Sequence, residues 1–126
     1  MATKQNEYNQ ALQNLVKMNR KKIEIKKVWT NASPTSAFGA QTLRISTTAD
    51  YILILTNRGE IIVVPKNAKG ISYYGCEAYA NQRTFTYTNN SLVVTNSQVL
   101  RSSSAGWQTD NTVLKPWYIF EIKGVI

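Results

Sequence analysis

Acidic side chains are the first candidates for catalysis in this chain, because paired carboxylates carry out general acid and base chemistry, as in glycosidases. The chain after residue 28 contains five of them: Asp50, Glu60, Glu77, Asp110 and Glu121. No spacing singles out a facing pair. Asp50 and Glu60 adjoin predicted strands, where an acid commonly serves a turn. The acids therefore do not predict a glycosidase.

Other catalytic side chains are scarce. The chain has no histidine and one cysteine, Cys76, so neither a His-activated nucleophile nor an internal disulfide can be built. The same composition disfavours a zinc site. The segment "GISYYG" has two glycines but no helix behind it, so it does not predict a phosphate-binding loop. We predict a protein that is not an enzyme and holds no cofactor or metal.

Aromatic residues are the remaining candidates for a ligand-binding surface. Tyrosine and tryptophan combine an apolar ring with a polar handle, which suits contact with sugars. The candidates are Tyr73, Tyr74, Tyr79 and Trp107. Trp107 ends the Ser- and Gly-containing segment "SSSAGW", which predicts an exposed ring. The alternative is that this ring covers a sheet end or packs between subunits.

Positive charge is concentrated at the N-terminus. The formal net charge is +8, and residues 1–28 hold seven Lys or Arg against two Glu, a net of +5. The rest of the chain holds eight basic against five acidic residues, a net of +3. Because the excess belongs to an arm and not to the domain body, the sequence disfavours nucleic acid as a partner. A nucleic-acid binder that uses the arm stays open as a third hypothesis.

Residues 3–21 carry the one helical pattern. Apolar side chains recur there at intervals of four and three residues, which predicts a helix with a single narrow stripe. The stripe consists of Tyr8, Leu12, Leu15 and Val16. A helix of this kind must pack on its own domain or on copies of itself, and both alternatives are open. We predict an attachment or oligomerisation arm over residues 1–22 and one domain over residues 23–126.

The rest of the chain has the pattern of short strands. About nine apolar segments follow one another at intervals of roughly ten residues, with turn residues between them. We therefore predict an all-β fold, a jelly-roll-like antiparallel β-sandwich preceded by a short N-terminal α-helix. No apolar run approaches the ~20 residues of a membrane helix. The N-terminal segment "MATKQNEYNQ" is polar, so we expect no signal peptide and no membrane insertion.

Individual strands have more specific patterns. The runs "YILILT" and "EIIVVP", separated by "NRG", predict a hairpin of central strands buried on both faces. The segments "RTFTYT" and "SLVVT" flank Asn89 and Asn90, which predict a second hairpin. In "KKIEIKKVW", Ile23, Ile25 and Trp29 share one parity and are expected on one face of a strand.

The segment "KVWTNASPTSAFGAQTLRI" resembles the start of a β domain of tail- and fibre-region proteins of bacteriophages and prophages of Gram-positive bacteria. The matching residues are Trp29, Thr30, Asn31, Pro34, Thr35, Ser36, Phe38, Ala40, Gln41 and Thr42. The segments "ADYILIL", "RTFTYTNNSLVV" and "LKPWYIFEIKGVI" follow in the order of that family, so the resemblance covers about residues 27–126. Gly39 departs from it, standing where a second alanine is usual, as does "RISTTADY".

The resemblance implies a non-enzymatic virion component, a tail-fibre or receptor-binding-type β-sandwich that attaches to a host surface through its loops. Its expected partners are copies of itself in a homotrimer, other virion proteins and a host cell-surface glycan or protein. It would be made in the bacterial cytoplasm and located in the phage particle. The alternative is a purely structural virion protein without receptor binding, such as a head fibre, decoration or connector piece.

The same segment also has a physical interpretation. Pro34 fixes a bend, and the Ser, Thr and Asn side chains beside it can form local turns. We therefore expect a scaffold loop that lets Trp29 and Phe38 plug one end of the core.

Overall fold

The fold is all-β behind one N-terminal helix. The computed structural model describes residues 2–19, 22–102 and 106–125. Its elements are α1 (Ala2–Asn19), β1 (Lys22–Thr30), β2 (Gln41–Arg44), β3 (Tyr51–Thr56), β4 (Ile61–Pro65), β5 (Ala68–Gly75), β6 (Tyr79–Thr88), β7 (Ser91–Val94), β8 (Gln98–Arg101), β9 (Gln108–Thr109) and β10 (Pro116–Val125). The predicted helix and sandwich-like fold are confirmed, with ten strands in the described part instead of about nine. Residues 20 and 21 of the predicted helix and 103–105 of the predicted Ser-rich loop lie outside the described residues.

Two curled antiparallel sheets enclose the core. Sheet A has the strand order β1-β10-β3-β4. Sheet B is built around β6, which pairs with β5 along one edge. Its other edge pairs with β8 at residues 79–82 and with β7 at residues 85–88. Strands β2 and β9 complete sheet B outside β7 and β8.

Both predicted hairpins are present. Strands β3 and β4 pair across a turn in which Gly59 has a φ of 87°. Strands β6 and β7 pair across Asn89 and Asn90, and Asn90 has a φ of 57°. Asparagine tolerates this left-handed conformation better than most residues, which explains why it stands there.

The core lies between the inward faces of the two sheets. Its members are Phe38, Leu43, Ile45, Ile52, Ile54, Val64, Phe85, Tyr87, Leu92, Val94 and Ile119. Trp29 is partly buried against this cluster, and its ring meets that of Phe38 edge-on. The prediction that these two rings close the core is confirmed.

Strand β1 does not have the single apolar face that the sequence predicts. Ile23 and Ile25 are exposed on the outer side of sheet A, whereas Trp29 packs inward. The cause is a β-bulge: Lys27 pairs with Phe120 but Trp29 pairs with Ile119, so the strand changes parity between them.

The prediction that β3 and β4 are central strands buried on both faces is wrong, because neither strand is buried on its outer side. Strand β3 is central, but β4 is the edge strand of sheet A. Ile61 and Val63 of β4 are exposed, and so is Tyr51 of β3. A continuous apolar run predicts burial, and here it instead produces an apolar outer face.

Strand register fixes the two ends of the sandwich. Lys22 pairs with Val125, so α1 is joined to the end of sheet A where β10 finishes. Thr56 pairs with Pro116, so the β3–β4 turn lies at the opposite end, here called the distal end. The Tyr87 hydroxyl donates to the Ala49 carbonyl at 2.5 Å, so the end of β6 lies near the start of β3. The start of β6 therefore lies at the distal end.

Candidate functional site

Two of the predicted tyrosines meet at the distal end. The rings of Tyr74 and Tyr79 have centroids 5.9 Å apart and an interplanar angle of 38°. The guanidinium carbon of Arg58, in the β3–β4 turn, lies 5.3 Å from the Tyr74 ring centroid. This distance fits a cation–π contact, which holds the arginine against the ring. The sequence did not single out Arg58, because the pairing depends on two segments that meet only in the fold.

An ion pair borders these aromatic rings. Arg101, whose backbone pairs with Tyr79, has Nη2 3.8 Å from Oδ2 of Asp110. Thr112 donates to Asp110 Oδ1 from Oγ1 at 2.5 Å and from its backbone N–H at 3.1 Å. The Thr112 hydroxyl is the main reason that the pKa of Asp110 is held below its ordinary value, with Arg101 and Arg58 lowering it further. We call Arg58, Tyr74, Tyr79, Arg101 and Asp110 the distal cluster.

The side chains of the distal cluster are of types that commonly contact polar ligands. Tyrosine rings stack on the apolar faces of sugars and side chains, and arginine donates fixed hydrogen bonds to oxygen acceptors. Asp110 offers an ionised acceptor beside them. The arrangement therefore suits a polar ligand rich in hydroxyl or carboxylate oxygens.

The other two predicted site residues lie apart from this pair. Tyr73 is exposed, and alternation along β5 turns it to the face of sheet B opposite Tyr74. Trp107 is exposed beside β9, which β8 and β6 separate from β5. At ~4.8 Å a strand, three strand spacings correspond to roughly 14 Å. The structure thus brings together Tyr74 and Tyr79, but not all four residues.

An open groove of about 660 Å³ is present where β6 changes partner from β8 to β7. Its polar lining includes Gln41, Gln82, Thr84, Thr95, Asn96 and Gln98. Tyr73 is the register partner of Gln82, so it lies on the same outer side of sheet B as this groove. Amides and hydroxyls with a neighbouring tyrosine suit a neutral polar ligand such as a sugar.

The predicted arm stripe is exposed. Every side chain described on α1, from residue 4 to residue 15, is exposed. Tyr8, Leu12 and Leu15 keep 62%, 45% and 54% of their surface in water. The side chain of Val16 lies outside the described part of the chain. The domain thus leaves this apolar stripe uncovered, and such a stripe is available for contact with another helix or face.

The segment that carries the family resemblance is pinned to the domain from its inner side. Asn31 is buried and donates from Nδ2 to the Pro116 carbonyl at 3.0 Å, while its Oδ1 accepts from the Ser33 N–H at 2.9 Å. Lys115 is also buried, and its Nζ donates to the Pro34 carbonyl at 2.7 Å. These contacts agree with the expected scaffold role of the segment.

Arg83 fastens the same segment at a second point. Its Nη1 donates to the carbonyls of Phe38 at 2.8 Å and Thr95 at 3.0 Å, and its Nη2 donates to the Val113 carbonyl at 3.1 Å. Burial lowers the pKa of Arg83 to about 10, because the interior disfavours its charged form. The alternation in "RTFTYT" indicates an inward face, but no sequence signal identifies the three carbonyls.

The predicted acids have local structural partners. Asp50 pairs with Lys66 at 3.5 Å, Glu60 accepts from the Thr56 hydroxyl, and Glu121 accepts from Thr47 Oγ1 at 2.7 Å. Glu77 is exposed in the β5–β6 loop. Within the described residues, no three Asp, Glu or Cys side chains gather as metal ligands. The absence of enzymatic activity stays a prediction.

No helix among the described residues is both long and apolar enough to span a membrane. Comparison of the chain with protein-family models, curated proteins and solved structures returned no match.

Proposed function

We propose that this chain is a non-enzymatic component of a bacteriophage particle that assembles with copies of itself through α1 and attaches to the host surface through its distal end. The observation that carries the proposal is the uncovered stripe of α1, with Tyr8, Leu12 and Leu15 in water. A stable helix with one apolar stripe needs a partner, and copies of the same helix supply it by closed symmetry. A homotrimer in the virion is the state that the family resemblance implies.

The two ends of the sandwich support a division of roles. The basic arm is joined to one end, and the distal cluster lies at the other. An assembly held together at the arm would present Arg58, Tyr74 and Tyr79 of each copy outward. A host cell-surface glycan or protein fits the chemistry of these groups.

A purely structural role in the virion is the second candidate. It is favoured by the apolar outer side of sheet A, where Ile23, Ile25 and Ile61 are exposed in addition to the α1 stripe. A head fibre, decoration or connector protein needs extensive contact surface and no receptor site. Other virion proteins would then be its partners.

Light scattering on the full chain tests the assembly step. Leu12→Glu with Leu15→Glu places two charges in the stripe, and we expect the mass to fall toward that of a monomer. Gln10→Glu with Asn14→Glu is the matched control, because both residues lie on the opposite side of α1 and their side chains contact each other at 3.3 Å. The control should keep the mass of the unmodified chain.

Two results would contradict the proposal. One is a monomeric unmodified chain that mass spectrometry does not find in purified particles. The other is a stripe variant with an unchanged mass. Binding of the labelled assembly to Gram-positive cells then separates the two candidates, because only an attachment protein is retained by them.

A further inference from the structure

Sheet A is apolar on its outer face as well as on its inner face. Residues paired across the four strands of a sheet point to the same side. The row through the middle of the outer face is Lys27, Phe120, Leu53 and Val63. The row toward α1 starts with Ile25, and the row toward the distal end finishes with Ile61. We call these three rows, together with Ile23, the outer A face.

The outer A face leaves a large apolar area in water. Ile23 is 70% exposed, Ile61 63%, Ile25 57%, Val63 51% and Tyr51 49%. At roughly 180 Å² for a large apolar side chain, these five alone leave on the order of 500 Å² exposed. The half-buried side chains between them bring the face closer to the ~800 Å² that each partner contributes to a stable interface. The largest apolar patch of an ordinary monomer is about 300–600 Å², so these five side chains alone already reach the upper part of that range.

The charged residues of the outer A face indicate which kind of surface can cover it. Its three rows contain one charged residue, Lys27, and the Nζ of this residue lies 5.1 Å from the Tyr118 ring centroid. The lysine thus has a partner within the face, and the rows present no carboxylate to a basic ligand. The complement of such a face is another apolar face, and the same face of each neighbouring copy supplies one when these faces turn toward the axis of a closed assembly.

We infer that the outer A face packs against the same face of neighbouring copies of this chain. The inference rests on the assembly proposed above and names its second surface. Ile23 follows the end of α1 by four residues, so the α1 stripe and the outer A face are continuous along the chain. Copies joined through α1 therefore begin β1 close to one another, which brings their outer A faces within reach.

Sedimentation velocity on the full chain over a range of concentrations tests this inference. The face variant carries Ile25→Lys and Val63→Lys. Its matched control carries Ile71→Lys and Val93→Lys, which are 62% and 45% exposed but lie on the outer side of sheet B. We expect the face variant to raise the dissociation constant of the assembly at least 10-fold, and the control to leave it unchanged. Circular dichroism should show that both variants keep their strands.

The stripe variant of α1 is measured in the same series, so that the two surfaces are judged separately. A face variant that associates as tightly as the unmodified chain overturns the inference, and loss of association in the stripe variant alone leaves the assembly step standing. If the face variant dissociates while the stripe variant stays associated, the result supports the inference and contradicts the role of α1 in assembly. An unmodified chain that stays monomeric overturns both the inference and the assembly step. The outer A face would then be covered by its own α1 or by another virion protein.

Discussion

The rings of Trp29 and Phe38 meet edge to face, with their centroids 6.2 Å apart and their planes at 85°. The two residues bracket the scaffold loop, and their contact ties both ends of that loop to the core. The Phe38 N–H also donates to the Asn111 carbonyl at 2.8 Å. Side chain and backbone thus fix Phe38 at a junction between the scaffold loop and the chain that leads into β10.

Truncation of Phe38 should therefore destabilise the whole domain. Phe38→Ala removes a nearly fully buried ring, which typically costs about 3–5 kcal/mol of the free energy of unfolding. Urea denaturation followed by circular dichroism measures the change. Tyr73→Ala, which removes an exposed ring, is the control and should cost less than about 1 kcal/mol. Equal losses in the two variants would contradict the assignment of Phe38 to the core.

Replacement of Arg83 should lower the free energy of unfolding for a different reason. Arg83→Met keeps much of the volume but leaves the carbonyls of Phe38, Thr95 and Val113 without their donor. Orphaned buried acceptors should lower the free energy of unfolding by roughly 3 kcal/mol. Arg44→Met, at an exposed position, is the control for the loss of one positive charge. A stable Arg83→Met variant would show that burial of the cation costs as much as its hydrogen bonds contribute.

Asp110 should make part of the stability dependent on pH. Its folded pKa lies below the ordinary value of 3.8, chiefly because of the Thr112 hydroxyl. The ionised form is favoured by the fold, so its contribution is present above 3.8 and is lost as the pH falls through the folded pKa. Urea denaturation at pH 7 and pH 3 should show a smaller loss for Asp110→Asn than for the unmodified chain. Thr112→Val should also lose less stability between pH 7 and pH 3 than the unmodified chain. Equal losses in all three proteins would contradict the assignment.

Gly70 allows sheet B to approach sheet A closely. A Cβ at this position would lie 2.6 Å from Cγ2 of Val64, a buried core residue. Gly70→Ala should therefore lower the free energy of unfolding by about 1–3 kcal/mol through overpacking. Gly39→Ala is the control, because a Cβ there meets its nearest neighbours at 3.8 Å. Thermal denaturation distinguishes the two, and a neutral Gly70→Ala would mean that β5 can move away from β4.

Local sequence patterns predicted the helix, the hairpins and the closing rings because each depends on neighbouring residues. The turn at Asn90 and the alternation that buries Phe85 and Tyr87 are examples. The position of a strand within its sheet depends instead on distant pairing. This is why the run that contains Val63 is recognisable as a strand but not as an edge, and why no local pattern predicts the parity change before Trp29.

The candidate site was predictable to a smaller extent for the same reason. Tyrosine composition indicated Tyr74 and Tyr79, which lie on the adjacent strands β5 and β6. Arg58 joins them from a turn of the other sheet, and the two segments meet only in the folded chain. Trp107 is exposed, as the segment before it predicts, but strand order separates it from these tyrosines.

The distal cluster should govern attachment if the chain acts at the host surface. Arg58→Ala removes the cation over Tyr74, and Tyr74→Ala removes a ring of the tyrosine pair. Each should lower retention of the labelled assembly on Gram-positive cells about 10-fold, because loss of one arginine or aromatic anchor commonly costs 1–2 kcal/mol of binding free energy. Arg44→Ala is the control for charge, since Arg44 is exposed on β2, away from the distal cluster. Unchanged retention in both cluster variants, with an unchanged solution mass, would exclude the cluster and favour the purely structural candidate.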